Sequence, residues 1–498
     1  MTSKRYIVKR ALLISFLERY GITSLQLLSA IILARLLTPE DIGIYTVGVA
    51  VIGVAHMIRD FGVGQYLLQE KNLTSQKVAS ALGLTMTFAW ILGGILFFSA
   101  PYIAMYYQEP AVEEVLFVVS LNFLIIPLGA MAPALLRRSM SFGTIFKINV
   151  TAATVGALVS ITLAFLDFGF MSMAWATVAN VAVSALMSQV YLPKKYRTMP
   201  SLYNVKPILS FGGHVVGANL VGEVNSSALD LVVGKYLGFS SLGFLSRGQG
   251  YIKMYSNIIE KATAPVISAH MARIYREGES INDAYTAVIN YVTLISWFSL
   301  GFMGFMAAHI IRILYGDQWD MAVPLASLLC LIACINIPNS LGGRLLVSTG
   351  RAKINFWITI ISSVFRISLI LLFVSYGLET ILLSLMALSI FRLFIVQGII
   401  WTIFSLDKKR FIQILIKNII IVFVSLVLPL YFWVSTNTLP QPMIMWAQLI
   451  GAAVVSVLIA IILVYLTKHP FSIEITQAIN FGVNKLHMAR KKDLPPRE

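Results

Sequence analysis

Long apolar runs separated by short polar connectors set the pattern of this chain. Fourteen runs approach or exceed the roughly 20 residues a helix needs to cross a bilayer core of about 30 Å. They lie at 11–37, 42–64, 78–106, 111–135, 143–166, 169–192, 208–237, 241–271, 284–311, 320–343, 353–376, 379–404, 411–434 and 443–467. Several are too long for a perpendicular span, which predicts tilting or extension into the cytoplasm. The seventh and eighth are interrupted by polar residues. The expected fold is all-α, a polytopic membrane protein of 14 transmembrane helices. The apolar stretch at 11–17 is short, Glu18 and Arg19 follow it, and no small-residue cleavage site appears, so it reads as part of a span rather than a signal peptide.

Composition agrees. Of 498 residues, 58% are hydrophobic and 12% charged, against about 25% charged in soluble proteins. The net charge of +16 suggests a nucleic-acid partner until its placement is examined. With the N-terminus in the cytoplasm and fourteen crossings, 28 of the 38 Lys and Arg fall on the cytoplasmic side. Only Arg35, Lys235 and Arg312 fall on the far side, as the positive-inside rule requires. One miscounted span would invert every downstream loop and erase this bias. The basic balance is therefore topology: both termini are expected in the cytoplasm, and no nucleic acid is expected as partner. The two cysteines, Cys330 and Cys334, sit one turn apart in an apolar run and read as small packing residues.

All connectors are too short to hold a soluble catalytic domain. The phosphate loop G-x-x-x-x-G-K-[ST], H-E-x-x-H and G-x-S-x-G are absent. No cofactor is expected; a channel, a secondary transporter or a membrane-embedded enzyme remains, and of these a transporter, not an enzyme, is expected. The most polar internal connector carries Lys194, Lys195, Arg197 and Lys206 between prolines. It divides the chain into an N-terminal six-helix lobe (1–192), a cytoplasmic linker (193–207) and a C-terminal six-helix lobe (208–404). Two further helices (405–467) and a basic cytoplasmic tail (468–498) follow. On that tail Ile475, Ile479, Val483 and Leu486 share one helical face ahead of Arg490, Lys491 and Lys492, as in a helix lying on a membrane surface or in a solvated tail.

A weak repeat crosses the linker. At a shift of 200 residues Arg35-Leu36-Leu37 faces Lys235-Tyr236-Leu237, and Ile42-Gly43 faces Leu242-Gly243. Six spans is an even number, so the copies share one orientation, the arrangement of a transporter with parallel repeats about an axis along the membrane normal. Between the first two spans, Thr38-Pro39-Glu40-Asp41 combines an N-cap, a proline for the first helical position and first-turn acids.

Ionisable residues inside spans are expensive and mark function by default. Twelve fall there: Glu18, Arg19, Arg59, Asp60, Glu223, Asp230, Arg247, Lys253, Glu260, Lys261, Arg366 and Arg392, joined by His56 and His214. Asn219, Glu223, Ser226 and Asp230 form one helical stripe, and Gln249, Lys253, Asn257 and Glu260 another. Such stripes cannot face lipid and point to a water-filled cleft. Its surplus of cations makes it an anion site. Arg19, Arg59, Arg247, Lys253, Arg366 and Arg392 are the candidate cations, suited to a diphosphate through the planar guanidinium fork. Glu223, Asp230, Glu18 and Asp60 are candidates for a coupling H+ or Na+. The bland alternatives are snorkelling of Arg59, Asp60, Glu260 and Lys261 at the cytoplasmic surface, and structural pairing of Glu18 and Arg19 with a neighbouring helix or of Glu223 and Asp230 with Arg247 or Lys253.

The stretch Ala34-Arg35-Leu36-Leu37-Thr38-Pro39-Glu40-Asp41-Ile42-Gly43-Ile44-Tyr45, with Asp60-Phe61-Gly62-Val63-Gly64 after it, resembles the signature of polysaccharide-biosynthesis membrane proteins. Together with the 6+6+2 span count it is similar to the MOP superfamily, in particular the Wzx-like flippases of the WzxC (colanic acid) and teichuronic acid branch. The resemblance implies movement of undecaprenyl-diphosphate-linked oligosaccharides across the bacterial cytoplasmic membrane by alternating access through a cationic cavity. It implies a multi-pass monomer with the lipid-linked glycan and the bilayer as partners, beside a polysaccharide polymerase and glycosyltransferases. In related lipid II flippases, cavity arginines come from helices 1, 2 and 8, where Arg19, Arg59 and Arg247 stand here. Two rivals remain. A multidrug extruder of the same fold usually takes cations, which a cationic cleft disfavours. A membrane glycosyltransferase or polymerase usually carries a large outer loop, which is missing.

Overall fold

The computed structural model describes residues 2–435, 442–477 and 480, and within them every side chain except those of 2–12, 211–219, 221 and 442. His214, Asn219 and the tail positions Ile479, Val483 and Leu486 lie outside the described side chains. In chain order the helices are α1 (Thr2–Leu36), α2 (Pro39–Asp60), α3 (Val63–Gln69), α4 (Ser75–Tyr107), α5 (Pro110–Gly129), α6 (Met131–Arg138), α7 (Phe142–Phe165), α8 (Met171–Tyr191) and α9 (Lys206–Tyr236). They continue as α10 (Phe239–Tyr255), α11 (Lys261–Glu277), α12 (Ile281–Phe305), α13 (Ala307–Tyr315), α14 (Ala322–Ser348), α15 (Ala352–Phe373), α16 (Leu378–Phe404), α17 (Lys408–Ser425), α18 (Val427–Val434) and α19 (Pro442–Leu466). A π-helical turn, Ser256–Glu260, joins α10 to α11. Among the described residues there is no strand.

Every predicted run lies on one or more of these helices, but they are not equally apolar. Among the described residues eleven helices are long and apolar enough to cross a membrane, or twelve if α17 and α18, bent by 60°, form one span. The two runs left over are the polar seventh and eighth, on α9 and α10–α11. These two carry eight of the polar-stripe residues, from Asn219 to Glu260. The outward-facing side chains elsewhere are apolar, as lipid contact demands: Phe98 on α4, Phe365 on α15 and Ile420 on α17 are all more than half exposed.

The chain forms two compact units. The first comprises Met1–Arg247, Leu314–Ala322 and Ser363–Ser384; the second comprises Gly248–Ile313, Val323–Ser362 and Leu385–Glu498. In the first, α2 starts as its sequence predicts. Thr38 Oγ1 accepts from the Asp41 backbone N–H at 3.2 Å, and Asp41 Oδ2 accepts from the Thr38 N–H at 3.0 Å. This reciprocal box satisfies two donors that a helix start leaves orphaned. The other Asp41 oxygen accepts from Phe170 N at 3.0 Å, tying the start of α2 to the turn before α8. Phe61 and Gly62 both adopt positive φ (35° and 64°), so the second signature, Asp60–Gly64, is the break between α2 and α3. Phe61 stacks on Phe88 there, with ring centroids 5.0 Å apart.

Residues paired by the 200-residue shift meet within this unit. A Cβ on Gly43 would lie 1.9 Å from the Phe239 carbonyl oxygen, and a Cβ on Gly243 would lie 1.9 Å from that of Pro39. Thr46 Oγ1 donates to Ser246 Oγ at 3.3 Å. Only glycine permits backbones this close. The two basic residues of the shift act alike. Arg35 Nε donates to the Leu314 carbonyl near the end of α13, and Lys235 Nζ to the Tyr106 carbonyl at the end of α4. Cations at helix C-termini complement both the free carbonyls and the dipole.

The 193–207 connector is not a free linker. Ser75 Oγ donates to the Lys195 carbonyl at 2.9 Å, Ser80 Oγ to the Tyr203 carbonyl at 2.6 Å, and Ser201 N to the Ala79 carbonyl at 3.0 Å. Leu192 and Ile208, at its two ends, enter the core built by Leu67, Leu84, Met131 and Ile145.

In the second unit, Pro338 interrupts α14 and removes the N–H that would bond to the Cys334 carbonyl. Trp297 Nε1 donates to that carbonyl at 2.9 Å instead. The carbonyl of Pro338 itself accepts from Gln397 Nε2 at 3.0 Å, and Gln397 Oε1 accepts from Tyr285 OH at 3.1 Å. Buried polar groups in a membrane helix need such partners. Beyond α19, a helix over 471–477 brings Phe471 and Ile475 against Leu294, Ile421 and Val464. Ile475, expected on a membrane-surface face, packs on the protein.

Candidate functional site

The intramembrane charges occupy distinct settings. On α2, Arg59 is 7% exposed. Its Nε donates to Asp60 Oδ1 at 2.9 Å, and a second bond to the same oxygen comes from Nη2. Its guanidinium carbon lies 6.0 Å from the centre of the Phe123 ring. Nη1 is buried without a hydrogen-bond partner, and so is His56 Nε2 one turn earlier. Asp60 itself is exposed.

Facing α2, α9 presents Glu223. Its Oε1 lies 2.5 Å from where a Gly53 Cβ would be, so the carboxylate occupies the gap that a glycine leaves. Ser227 Oγ donates to it at 3.3 Å. Two turns on, Asp230 acts electrostatically on Arg366 of α15. Arg366 Nε is buried with no hydrogen-bond acceptor. These two groups are distant in sequence, on α9 and α15, and the structure brings them together inside the first unit.

Arg247 of α10 sits against two aromatic rings, 5.1 Å from the centre of Trp319 and 5.5 Å from that of Tyr315. Trp319 is fully buried. Its indole donates to the Ala34 carbonyl at 2.7 Å, and Gln318 Nε2 donates to the same oxygen at 2.5 Å. The chain after α13 thus folds onto the end of α1 and fixes two rings for the guanidinium, a cation–π setting that lowers the cost of its burial. Arg247 Nε also lacks an acceptor.

Other predicted residues stand apart. Arg19 and Lys253 are exposed. Glu18 accepts from Asn149 Nδ2 at 2.6 Å, joining α1 to the neighbouring helix α7. Glu260, on the π turn, accepts from Ser256 Oγ at 3.0 Å and from Arg344 at 3.4 Å, while Lys261 donates to Asn257. Arg392 of α16 is half-buried, with an Nε that finds no partner.

Sequence reasoning missed an uncharged cluster in the second unit. Asn336 Nδ2 donates to Ser389 Oγ at 3.2 Å, and Asn339 Nδ2 to the Ser389 carbonyl at 3.1 Å and to Asn336 Oδ1 at 3.3 Å. The Asn339 carbonyl oxygen is buried and unpartnered. Ser389 lies one turn before Arg392. The available signal was two asparagines flanking Pro338 within an apolar run.

Guanidinium groups held in apolar surroundings with unused donors can bind an anion. The polysaccharide biosynthesis protein family matches residues 32–324, more than half of the chain. The chain belongs to that family. This polysaccharide biosynthesis protein is 25% identical to the succinoglycan biosynthesis transport protein ExoT of Rhizobium meliloti (strain 1021) over 408 residues, 80% of each chain. It is 22% identical to the lipopolysaccharide biosynthesis protein WzxC of Escherichia coli (strain K12) over 337 residues, 67% of this chain and 68% of the other. Among solved structures, the lipid II flippase MurJ in an inward closed conformation has a TM-score of 0.70 at 16% identity, covering 91% of this chain and 98% of its own. That likeness gives the fold. The resemblance to polysaccharide-biosynthesis membrane proteins read from residues 34–45 and 60–64 falls inside the matched region, and the protein is a multi-pass membrane protein with transport homologues.

Proposed function

We propose that this chain is a secondary transporter that flips undecaprenyl-diphosphate-linked oligosaccharide units across the bacterial cytoplasmic membrane. In this reading it crosses the bilayer fourteen times as two six-helix lobes plus two C-terminal helices, with both termini in the cytoplasm. The polar α9 and α10–α11 are then the seventh and eighth spans. A sugar head group crossing bare hydrocarbon would leave each hydroxyl unbonded at several kcal/mol apiece; a hydrated cleft removes that barrier, and the polyprenyl tail stays in lipid. An ion gradient of H+ or Na+, with Glu223 or Asp230 as its binding group, or the substrate gradient itself supplies the drive. The names of the relatives, a succinoglycan transport protein among them, support the cargo class.

The observation that carries the reading is the set of arginines with buried, unused donors, Arg59, Arg247, Arg366 and Arg392. An arginine within a span costs up to roughly 2.5–3.5 kcal/mol on insertion scales, and a chain retaining four has a use for them. A diphosphate fits their charge and fork geometry. A cationic drug does not, which sets the multidrug alternative aside.

The test is to extract lipid-linked oligosaccharides from cells lacking the protein and probe their leaflet with an impermeant glycan-modifying reagent. Completed units that the reagent cannot reach are expected. Incomplete units, or no accumulation, would indicate an enzyme or scaffold. Completed units exposed outside but left unpolymerised would place the protein after the flip and end the transport reading.

A further inference from the structure

The connector between α8 and α9 encloses a cavity that the transport reading does not use. Its volume is about 270 Å³, and its floor is Met131, Ala132 and Leu192, all nearly buried. Two of the residues that line it, Ser188 and Thr198, carry buried hydroxyls without hydrogen-bond partners, and Ser188 is only 1% exposed. Leaving two buried hydroxyls unpaired is unfavourable, so the cavity is suited to a ligand that offers acceptor oxygens.

Its rim is cationic and fixed. Arg197 donates from Nε to the Leu192 carbonyl at 3.3 Å, and from Nη2 to those of Gln189 and Val190 at 3.2 and 3.1 Å. Those bonds cap the end of α8 and hold the guanidinium at the opening, where the residue stays exposed. Lys195 Nζ lies 5.5 Å from the centre of the Tyr196 ring, which also lines the cavity. Lys194 is exposed beside it. Around the opening, apolar side chains are left uncovered: Met199 is 86% exposed, Val190 70% and Leu186 68%. The three hydrogen bonds from Ser75, Ser80 and Ser201 keep this arrangement rigid.

We infer that this cavity binds the glycerophosphate portion of an anionic membrane phospholipid. At ~30 Å³ per water-sized group it has room for about nine such groups, enough for a phosphate and glycerol but not for two acyl chains. The phosphate faces Arg197 with Lys194 and Lys195, and the ester oxygens accept from Ser188 and Thr198. The acyl chains run out over Leu186, Val190 and Met199 into the bilayer. Basic pockets at a membrane boundary recognise anionic head groups in this way. The site holds whatever the cargo of the transporter is.

The full-length protein in nanodiscs of mixed phosphatidylglycerol and phosphatidylethanolamine, released and weighed by native mass spectrometry, tests this. One tightly held phosphatidylglycerol is expected. Ser188→Leu fills the cavity without touching the Arg197 cap and is expected to cut that occupancy about tenfold, the scale of a lost charged or buried hydrogen bond. Thr198→Val gives the same direction by hydroxyl loss alone. Unchanged occupancy in both variants, at wild-type thermal stability, overturns the site. So does equal retention of phosphatidylethanolamine, or finding polyprenyl phosphate or inorganic phosphate in place of phospholipid.

Discussion

Replacing Gly243 by alanine tests the close helix contact between α2 and α10. The added Cβ would lie 1.9 Å from the Pro39 carbonyl oxygen, whereas an ordinary carbon–oxygen contact needs about 3.3 Å. The helices must part by roughly 1.4 Å, because the obstacle is backbone and no rotamer can yield. Overpacking of this kind costs ~1–3 kcal/mol. The upper end applies here, and better helix propensity returns about 1 kcal/mol. The net of ~2 kcal/mol weakens the α2–α10 contact roughly thirtyfold. Cysteines at Thr46 and Ser246, whose oxygens are 3.3 Å apart, report that contact as a disulfide in a chain with Cys330 and Cys334 changed to alanine. Cross-linking is expected to be fast in the parent and much slower with Gly243→Ala. Gly43→Ala meets Phe239 in the same way and should match it. Gly94→Ala, with no atom within 4 Å of its added Cβ, should change nothing. Full cross-linking with Gly43→Ala and Gly243→Ala combined would refute the contact.

Arg247→Ala and Arg366→Ala are expected to lower export at unchanged protein levels, measured as surface polysaccharide; normal export by both removes the cationic-cavity reading. Trp297→Phe strips the donor from the Cys334 carbonyl and is expected to lower stability by ~1–3 kcal/mol. The loss should shrink when Pro338→Ala restores a backbone N–H, and a thermal melt of the double variant decides it. His469, beyond α19, is fully buried and is held at about 4 by burial first and by the charge of Lys417 second. Its stability contribution is therefore complete above the ordinary histidine value near 6.5 and falls as pH drops toward 4. The melting temperature of the parent should fall over that window more than that of His469→Gln, and equal slopes would exclude the residue as the source. Asp230→Asn should destabilise by leaving Arg366 unpaired, and adding Arg366→Gln should recover protein level but not export, as a double-mutant cycle can show.

Much of the helical layout was legible because long apolar runs and caps are local signals. Thr38-Pro39-Glu40-Asp41 announced the start of α2, and the capping box forms as written. The 200-residue shift picked out Arg35 with Lys235 and Gly43 with Gly243, all of which have matching contacts. Other features depend on partners distant in sequence. Nothing local in Trp297 says that it replaces the hydrogen bond Pro338 removes, and nothing in Glu223 says that Gly53 makes room for it. Asn336 and Asn339 carry no charge, so a search for ionisable residues passed over them. Ile475 fitted a surface helix by periodicity, but an amphipathic face packs equally well on protein, and Leu294, Ile421 and Val464 supply that protein face.

The arginines separate by what compensates their charge. Arg59 has a carboxylate on the next residue, which the exposed side of Asp60 shares with solvent. Arg366 has Asp230, and Arg247 has two aromatic faces. Arg392 is half-buried, with an Nε that finds no partner among the described residues. A buried charge without a counter-charge is the most costly to keep, so in the proposed reading Arg247 would gain more from an arriving diphosphate than Arg59 or Arg366, which would first release a carboxylate. In the proposed transport reading, binding at either of those two would free an acid, Asp60 or Asp230, at the moment an anion arrives. A freed carboxylate takes up a proton or sodium ion more readily than a paired one. On that reading cargo binding and ion binding would be linked through the Asp230–Arg366 pair, and by reciprocity the ion would strengthen cargo binding by the same factor.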